Sequence, residues 1–164
     1  MRKGITIAVI MSLAVIFACG EKLTEEQLSA KVQDYQEKQQ WEDVAGTYET
    51  LLKSYPESKK AAEYMYNLGM VYSNNLKEYE KAINTWKKLL EKYPDSRLVT
   101  NTKFMIGYCY ANEVKDLDQA REEYNKFLSE HPNHELVPSV KWELKHLGQD
   151  IKDIELEFSS EQAE

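Results

Sequence analysis

Residues 82–94, AINTWKKLLEKYP, decide the fold of this chain. Ala82, Trp86 and Leu89 are separated by four and three residues, a spacing that places them on one face of an α-helix. Pro94 follows five residues after Leu89 and ends the helix, because proline lacks an amide proton and excludes the preceding turn. The stretch therefore predicts an amphipathic helix with a defined C-terminal stop.

The same pattern occurs three times, at a period of 38 residues. The loops YPES, YPDS and HPNH begin at Tyr55, Tyr93 and His131. Within the helices the corresponding positions are Val44, Ala82 and Ala120, then Tyr48, Trp86 and Tyr124, then Leu51, Leu89 and Phe127, then Pro56, Pro94 and Pro132. A fixed period of this length indicates stacked structural repeats, each of which buries its apolar face against its neighbours.

A second helix precedes each of the later copies and contains a glycine. The segments NLGMVY, residues 67–72, and MIGYCY, residues 105–110, place Gly69 and Gly107 at equivalent positions. Glycine costs about 1 kcal/mol in a helix interior, so two equivalent glycines predict a contact too close for a side chain.

These features resemble tetratricopeptide repeats, whose signature pairs a Leu-Gly-x-x-Tyr helix with a helix of Ala, aromatic, apolar and Pro positions. The resemblance implies an all-α, right-handed superhelix of about three and a half repeats within residues 24–148. We expect seven helices, at 25–38, 41–54, 60–74, 79–92, 98–112, 117–130 and 135–147. Thr24 and Gln27 predict a capping box for the first helix. Lys145 replaces the repeat glycine in the last helix, which we therefore interpret as a cap.

The N-terminus has the pattern of a secretory signal. Arg2 and Lys3 precede an uncharged run of residues 4–19, which is shorter than the roughly 20 apolar residues of a spanning helix. The sequence Ile16-Phe-Ala-Cys19 resembles the lipobox of bacterial lipoproteins, which implies a signal peptide at 1–18, acylation of Cys19 and a short linker at 19–23. A retained hydrophobic anchor and ordinary secretion are the alternatives. Gly20 is not the aspartate that retains lipoproteins in the inner membrane, so the resemblance implies the outer membrane, facing the periplasm.

Composition argues against several classes of ligand. Without Arg2 and Lys3 the chain has 19 basic and 28 acidic residues, an acidic balance that argues against nucleic acid and against a basic membrane-surface patch.

With Cys19 acylated, Cys109 has no partner for a disulfide, and its apolar helical surroundings predict a buried thiol rather than a redox or intermolecular role.

The sequence contains no arrangement typical of an enzyme. His131 and His134 flank Pro132 in a loop, where we expect them to be exposed rather than to bind a metal. Surface carboxylates such as Glu122 and Glu123 are better explained as a solvated helix face than as an acid–base pair. We therefore expect no catalysis, no cofactor, no metal and no small-molecule substrate.

The resemblance places a peptide groove along the first helix of each repeat. Two columns would line it: Leu28, Tyr66, Phe104 and Trp142, followed by Val32, Met70, Tyr108 and His146. Large rings in such columns suit an extended or helical peptide, but the same residues are equally consistent with inter-helix core. Chaperone-binding members of the family have Lys, Asn and Arg here to clamp a carboxylate. Tyr66 and Met70 replace them, so we do not expect that ligand.

The lipobox and the YPxS loops together resemble the BamD-like lipoproteins of outer-membrane β-barrel assembly. That resemblance implies a non-enzymatic scaffold whose partners are envelope assembly subunits or unfolded outer-membrane proteins. Two alternatives remain open: an envelope or cell-division adaptor similar to the Tol-Pal-associated coordinator, and an accessory subunit of a peptidoglycan or export enzyme.

The C-terminal tail, residues 149–164, is acidic and partly apolar. Ile154, Leu156 and Phe158 alternate with glutamates, a period that does not continue a helix face. We expect an extended segment that covers the last helix near Leu144 and Leu147, with 159–164 disordered; a wholly disordered tail is the alternative.

Overall fold

The computed structural model describes residues 22–149, and this part of the chain is built from helices. Its helices, in chain order, are α1 (Glu25–Glu37), α2 (Trp41–Ser54), α3 (Ala61–Met70), α4 (Tyr79–Lys92), α5 (Val99–Cys109), α6 (Leu117–Glu130) and α7 (Val137–Lys145). The final turns of α3 and α5 are widened into π-helical segments, Val71–Asn75 and Tyr110–Val114. Each helix packs against its neighbours in the chain, which gives the superhelical stack of hairpins that the repeat pattern predicts.

The predicted helices agree with the structure except at some of their ends. When the π-helical segments are counted with α3 and α5, the largest difference is α7, which begins at Val137 instead of residue 135 and ends at Lys145 instead of residue 147. Its start is delayed because the preceding loop makes its own turn, in which the Val137 amide donates to the His134 carbonyl at 3.0 Å. The predicted capping box of α1 is confirmed, with Thr24 Oγ1 accepting from the Gln27 amide and Gln27 Oε1 accepting from the Thr24 amide.

Both repeat glycines lie under an aromatic ring of the following helix. A Cβ atom added to Gly107 would lie 2.7 Å from Cε1 of Tyr124, and one added to Gly69 would lie closer still to the indole of Trp86. Trp86 also donates from Nε1 to the carbonyl of Tyr66 at 3.2 Å. The predicted close contact between helices is therefore confirmed, and the ring occupies the volume that a side chain would take.

The repeat prolines lie in three loops of nearly identical geometry. The residues before Pro56, Pro94 and Pro132 have φ and ψ values of −132° and 55°, −129° and 56°, and −131° and 54°. Ala82 and Ala120 belong to the helices that end before Pro94 and Pro132, and both are fully buried. Each loop then closes with a backbone amide that donates to a side chain two residues earlier: Lys60 to Ser58 at 3.1 Å, Leu98 to Ser96 at 3.2 Å, and Leu136 to Nδ1 of His134 at 3.2 Å. His134 thus replaces the loop serine in the third repeat.

A second repeated feature is the turn that joins the first helix of each hairpin to the second helix. Gln39, Lys77 and Lys115 have φ values of 55°, 58° and 64°, in the left-handed region that most residues avoid. They are spaced by the same 38 residues as the prolines. The amide that follows each of them returns to a tyrosine carbonyl at the end of the first helix, at Tyr35, Tyr72 and Tyr110.

Several sequence-based expectations fall outside residues 22–149. They are the signal peptide at 1–18, acylation of Cys19, and the packing of Ile154, Leu156 and Phe158. Among the helices that the structure describes, none has both the length and the apolar character needed to cross a bilayer.

Replacing Gly107 by alanine tests the ring–glycine contact. The new methyl group would overlap the ring of Tyr124, and overpacking of this kind costs about 1–3 kcal/mol. Gly46 in α2 is the matched control, because nothing lies within 4 Å of a Cβ atom at that position. We expect Gly46→Ala to stabilise the protein by up to about 1 kcal/mol through helix propensity, and Gly107→Ala to destabilise it. Urea unfolding measures both, and equal effects of the two changes would contradict the contact.

Replacing His134 by serine and by alanine tests the loop bond. Serine restores the acceptor that Ser58 and Ser96 provide in the other repeats, so we expect His134→Ser to lose only the packing of the imidazole on Phe127. His134→Ala leaves the Leu136 amide without its acceptor and should cost about 1 kcal/mol more. Thermal unfolding at pH 7 compares the two variants, and a serine variant no better than the alanine variant would exclude this role.

Candidate functional site

A cleft of about 510 Å³ opens between α5 and α7 at the C-terminal end of the stack. We call it the aromatic cleft, because it contains the two large apolar side chains that are exposed in the described chain, Tyr108 and Trp142. Its lining residues are Tyr108, Ala111, Asn112, Lys115, Leu117, Trp142, Glu143, His146, Leu147, Gly148 and Gln149. Both α5 and α7 are first helices of their hairpins, the positions at which the sequence predicts a groove.

The ring of Trp142 packs against that of His146, four residues later in the chain. Its ring lies 4.5 Å from the ring of His146, centre to centre, and 43% of its surface is exposed. His146 is buried, and its Nδ1 donates to the carbonyl of Trp142 at 2.8 Å, because a carbonyl oxygen can only accept. The imidazole therefore packs against one side of the indole, while the exposed side of the indole remains available to a ligand.

On the side of α5, Tyr108 lines the cleft and packs against other aromatic rings. Phe104 is half-buried and lies 6.1 Å from the ring of Tyr108 and 6.2 Å from that of Tyr124. Burial raises the pKa of Tyr108, and the nearby carboxylates of Glu143 and Glu113 add to the rise. The hydroxyl therefore remains a neutral hydrogen-bond donor at physiological pH.

Glu143 of α7 supplies a negative charge to the aromatic cleft. Its Oε2 accepts from Nδ2 of Asn112 and from the hydroxyl of Tyr124, both at 3.4 Å. Burial, followed by the charge of Glu143, raises the pKa of Tyr124, so that hydroxyl is also a permanent donor. Lys115 at the rim is exposed and provides a positive charge. The cleft thus combines two exposed rings with one fixed carboxylate and one ammonium group.

The N-terminal members of the two predicted columns lie in different surroundings. Leu28 and Val32 are buried in the core, Leu28 against neighbouring helices and Val32 at the floor of a smaller cleft between α1 and α3. Tyr66 and Met70 are half-buried and pack against the same core. The first hairpin needs its apolar column to close the α1–α2 interface, so the other residues of α1 that line this smaller cleft are polar: Ser29, Gln33 and Gln36.

Several residues of the aromatic cleft lie outside the predicted columns. Asn112, Lys115 and Glu143 were not predicted, because polar residues on an amphipathic helix resemble an ordinary solvated face. The register offered one signal: Glu143 is one residue beyond Trp142, and Ser29 is one residue beyond Leu28. Both residues line a cleft, so the position that follows the first predicted column contributes to each of the two clefts.

The cysteine and the loop histidines, whose side chains could take part in catalysis or bind a metal, are packed against other residues. Burial raises the pKa of the Cys109 thiol to about 11, which keeps it protonated and unreactive, and the predicted buried thiol is confirmed. His131 and His134 are half-buried rather than exposed as expected, because both rings pack against Phe127. Burial, with the charge of Lys103, lowers the pKa of His131. Residues 22–149 contain no cluster of three or more His, Cys, Asp or Glu suited to a metal.

Comparison with known proteins agrees with this architecture. Residues 63–96 and 102–134 match the tetratricopeptide repeat family. No curated protein matches the sequence. The fold is similar to the TPR2B domain of yeast Sti1 in complex with pHsp70, with a TM-score of 0.57, 19% identity, and coverage of 76% of this chain and 96% of that one. It is also similar to the TPR2AB domain of yeast Sti1 in complex with pHSP90, with a TM-score of 0.58, 21% identity, and coverage of 81% of this chain and 49% of that one. The described part of this chain therefore has the stacked-hairpin fold of tetratricopeptide-repeat domains.

Proposed function

We propose that this protein is a non-enzymatic scaffold that binds segments of partner proteins in the aromatic cleft. The observation that carries the proposal is the exposure of Tyr108 and Trp142 on opposite walls of one cleft. Exposed aromatic rings in a concave site are typical of the residues that dominate protein–protein binding, because each ring buries a large area at a small entropic cost.

The walls of the cleft favour a particular kind of segment. Two rings at a distance from one another suit an extended peptide that inserts apolar or aromatic side chains between them. Glu143 is available to pair with a basic group, or to accept from a backbone amide of the ligand. Tetratricopeptide-repeat domains of yeast Sti1 form complexes with pHsp70 and pHSP90, which supports a peptide-binding role for the fold. Tyr66 and Met70 stand where the family's carboxylate-clamping residues would be, so the proposed ligand is bound through apolar contacts.

The proposed setting is the periplasmic face of the outer membrane. It is supported by the resemblance of Ile16-Phe-Ala-Cys19 to a lipobox and by Gly20 after the cysteine. Acyl chains contribute about 0.8 kcal/mol for each buried methylene, so an acylated Cys19 would hold the domain at the membrane surface. Together with the YPxS loops, this arrangement leads us to propose a BamD-like role, with partners among envelope assembly subunits or unfolded outer-membrane proteins.

Loss of the Cys19 thiol tests the anchor. Acylation requires the sulfur atom, so we expect Cys19→Ala to abolish labelling by an alkynyl fatty acid and to leave an uncleaved precursor. Cys109→Ala is the matched control, because its thiol is buried in the repeat core. Wild type and the control should be labelled equally and should sediment with outer membranes. Equal labelling of Cys19→Ala and wild type would exclude lipidation at this residue.

Photo-crosslinking from the rim of the aromatic cleft tests the partner. A photoreactive phenylalanine at Lys115 should capture an assembly subunit or an unfolded barrel protein in intact cells, whereas the same residue at Arg121, which does not line the cleft, should not. Because truncation of a buried aromatic anchor typically costs about 2 kcal/mol or more, Trp142→Ala should reduce the adduct at least about tenfold. Thermal unfolding checks that this variant remains folded.

An adduct that survives Trp142→Ala unchanged would contradict binding in the aromatic cleft. Adducts restricted to a peptidoglycan or export enzyme would replace the β-barrel assembly role with that of an accessory subunit.

A further inference from the structure

A second cleft, of about 480 Å³, lies between α2 and α4, the second helices of the first two hairpins. We call it the lysine cleft, because Lys53, Lys81, Lys88 and Lys92 all line it. All four side chains are exposed. Such a concentration of positive charge stands out in a chain whose net charge is −7.

The floor of the lysine cleft is apolar. Leu52 is half-buried there, and beneath it lie the buried side chains of Met65, Leu68 and Tyr72 from α3. The lining includes one carboxylate, that of Glu49, which accepts a hydrogen bond from the Tyr72 hydroxyl at 2.6 Å. Burial and this bond raise the pKa of Tyr72, so the hydroxyl continues to hold Glu49 in place.

Most of the ammonium groups have no carboxylate partner within the described chain. Lys81 pairs with Glu78 at 2.7 Å, and its Nζ lies 5.4 Å from the centre of the Tyr72 ring. The other three lysines form no ion pair with a carboxylate of residues 22–149. Three lysines without an ion-pair partner in this part of the chain therefore surround the apolar floor.

The next repeat shows that the fold does not require these lysines. Shifting by 38 residues replaces Lys53 with Glu91, Lys92 with Glu130, and Glu49 with Lys87. Asn84 and Thr85 likewise correspond to Glu122 and Glu123, while Lys88 corresponds to Lys126. The same helical positions are thus largely acidic at the α4–α6 junction and basic at the α2–α4 junction, on an otherwise shared backbone.

We propose that the lysine cleft binds an acidic peptide segment of a partner protein, with an apolar side chain on the floor and carboxylates at the lysines. Complementary charge favours such a segment because opposite charges raise association rates and exclude basic partners. An apolar side chain can insert into a concave cleft with an apolar floor, whereas the flat surface of an anionic membrane cannot. The acidic remainder of the chain is also repelled by such a membrane. This surface is separate from the aromatic cleft, and no residue lines both.

The test uses the full-length chain and a fluorescein-labelled peptide that alternates glutamate with leucine and phenylalanine. We expect binding, measured by fluorescence anisotropy, to weaken at least about tenfold when glutamine replaces the glutamates, and to weaken as salt screens the charges. The matched variants are Lys88→Glu and Lys126→Glu, which reverse one exposed charge at equivalent positions of the two junctions. Lys88→Glu should weaken binding about fivefold, with a larger loss in Lys53→Glu/Lys88→Glu, whereas Lys126→Glu should change it by less than about twofold.

Three results would overturn the proposal. Equal binding of the glutamate and glutamine peptides would show that the carboxylates do not contribute. Equal losses in Lys88→Glu and Lys126→Glu would remove the lysine cleft from the interaction. Binding of phosphatidylglycerol vesicles, lost in Lys88→Glu, without binding of the acidic peptide would identify a membrane contact instead. Trp142→Ala should leave the peptide affinity unchanged, so this result is independent of the aromatic cleft.

Discussion

The contact between one aromatic ring and one glycine is the interaction on which the rest of the structure depends. Trp86 covers Gly69 and Tyr124 covers Gly107, so each later hairpin closes at a separation that any side chain would widen. Both rings are fully buried, so the two contacts belong to the core of the stack. The two clefts lie between successive hairpins, and each cleft is bounded by a hairpin that one of these contacts closes.

The architecture follows from the sequence because its signals are repeated and local. The apolar spacing, the prolines and the glycines each occur at a 38-residue period, and each acts within a turn or two of helix. The left-handed turns at Gln39, Lys77 and Lys115 escaped notice because none is a glycine, the residue that normally marks such a conformation. The π-helical ends of α3 and α5 have no comparable signature in the residues that form them.

The candidate sites are harder to predict from the sequence than the fold, because the exposure of a side chain depends on which residues pack against it. Leu28 and Trp142 occupy the same column, yet Leu28 is 4% exposed and Trp142 is 43% exposed. Leu28 closes the first hairpin, whereas Trp142 lies on the last described helix, with no further hairpin described beyond it. The lysine cleft was not anticipated either, since its residues come from three helices and only the fold brings Lys53 close to Lys88.

The core is divided into two clusters of unequal size, and this division has a consequence for dynamics. The larger cluster extends from α1 to α5, while Ala111, Ala120, Tyr124, Phe127 and Val140 form the smaller one under α6 and α7. In a linear stack each repeat is stabilised only by its neighbours, so the terminal unit opens at a lower free energy than the whole domain. Amide protons of α7 should consequently exchange with solvent sooner than those of α3 and α4. A ligand that bridges α5 and α7 would slow that exchange, and part of its binding energy would be spent on ordering the end of the stack.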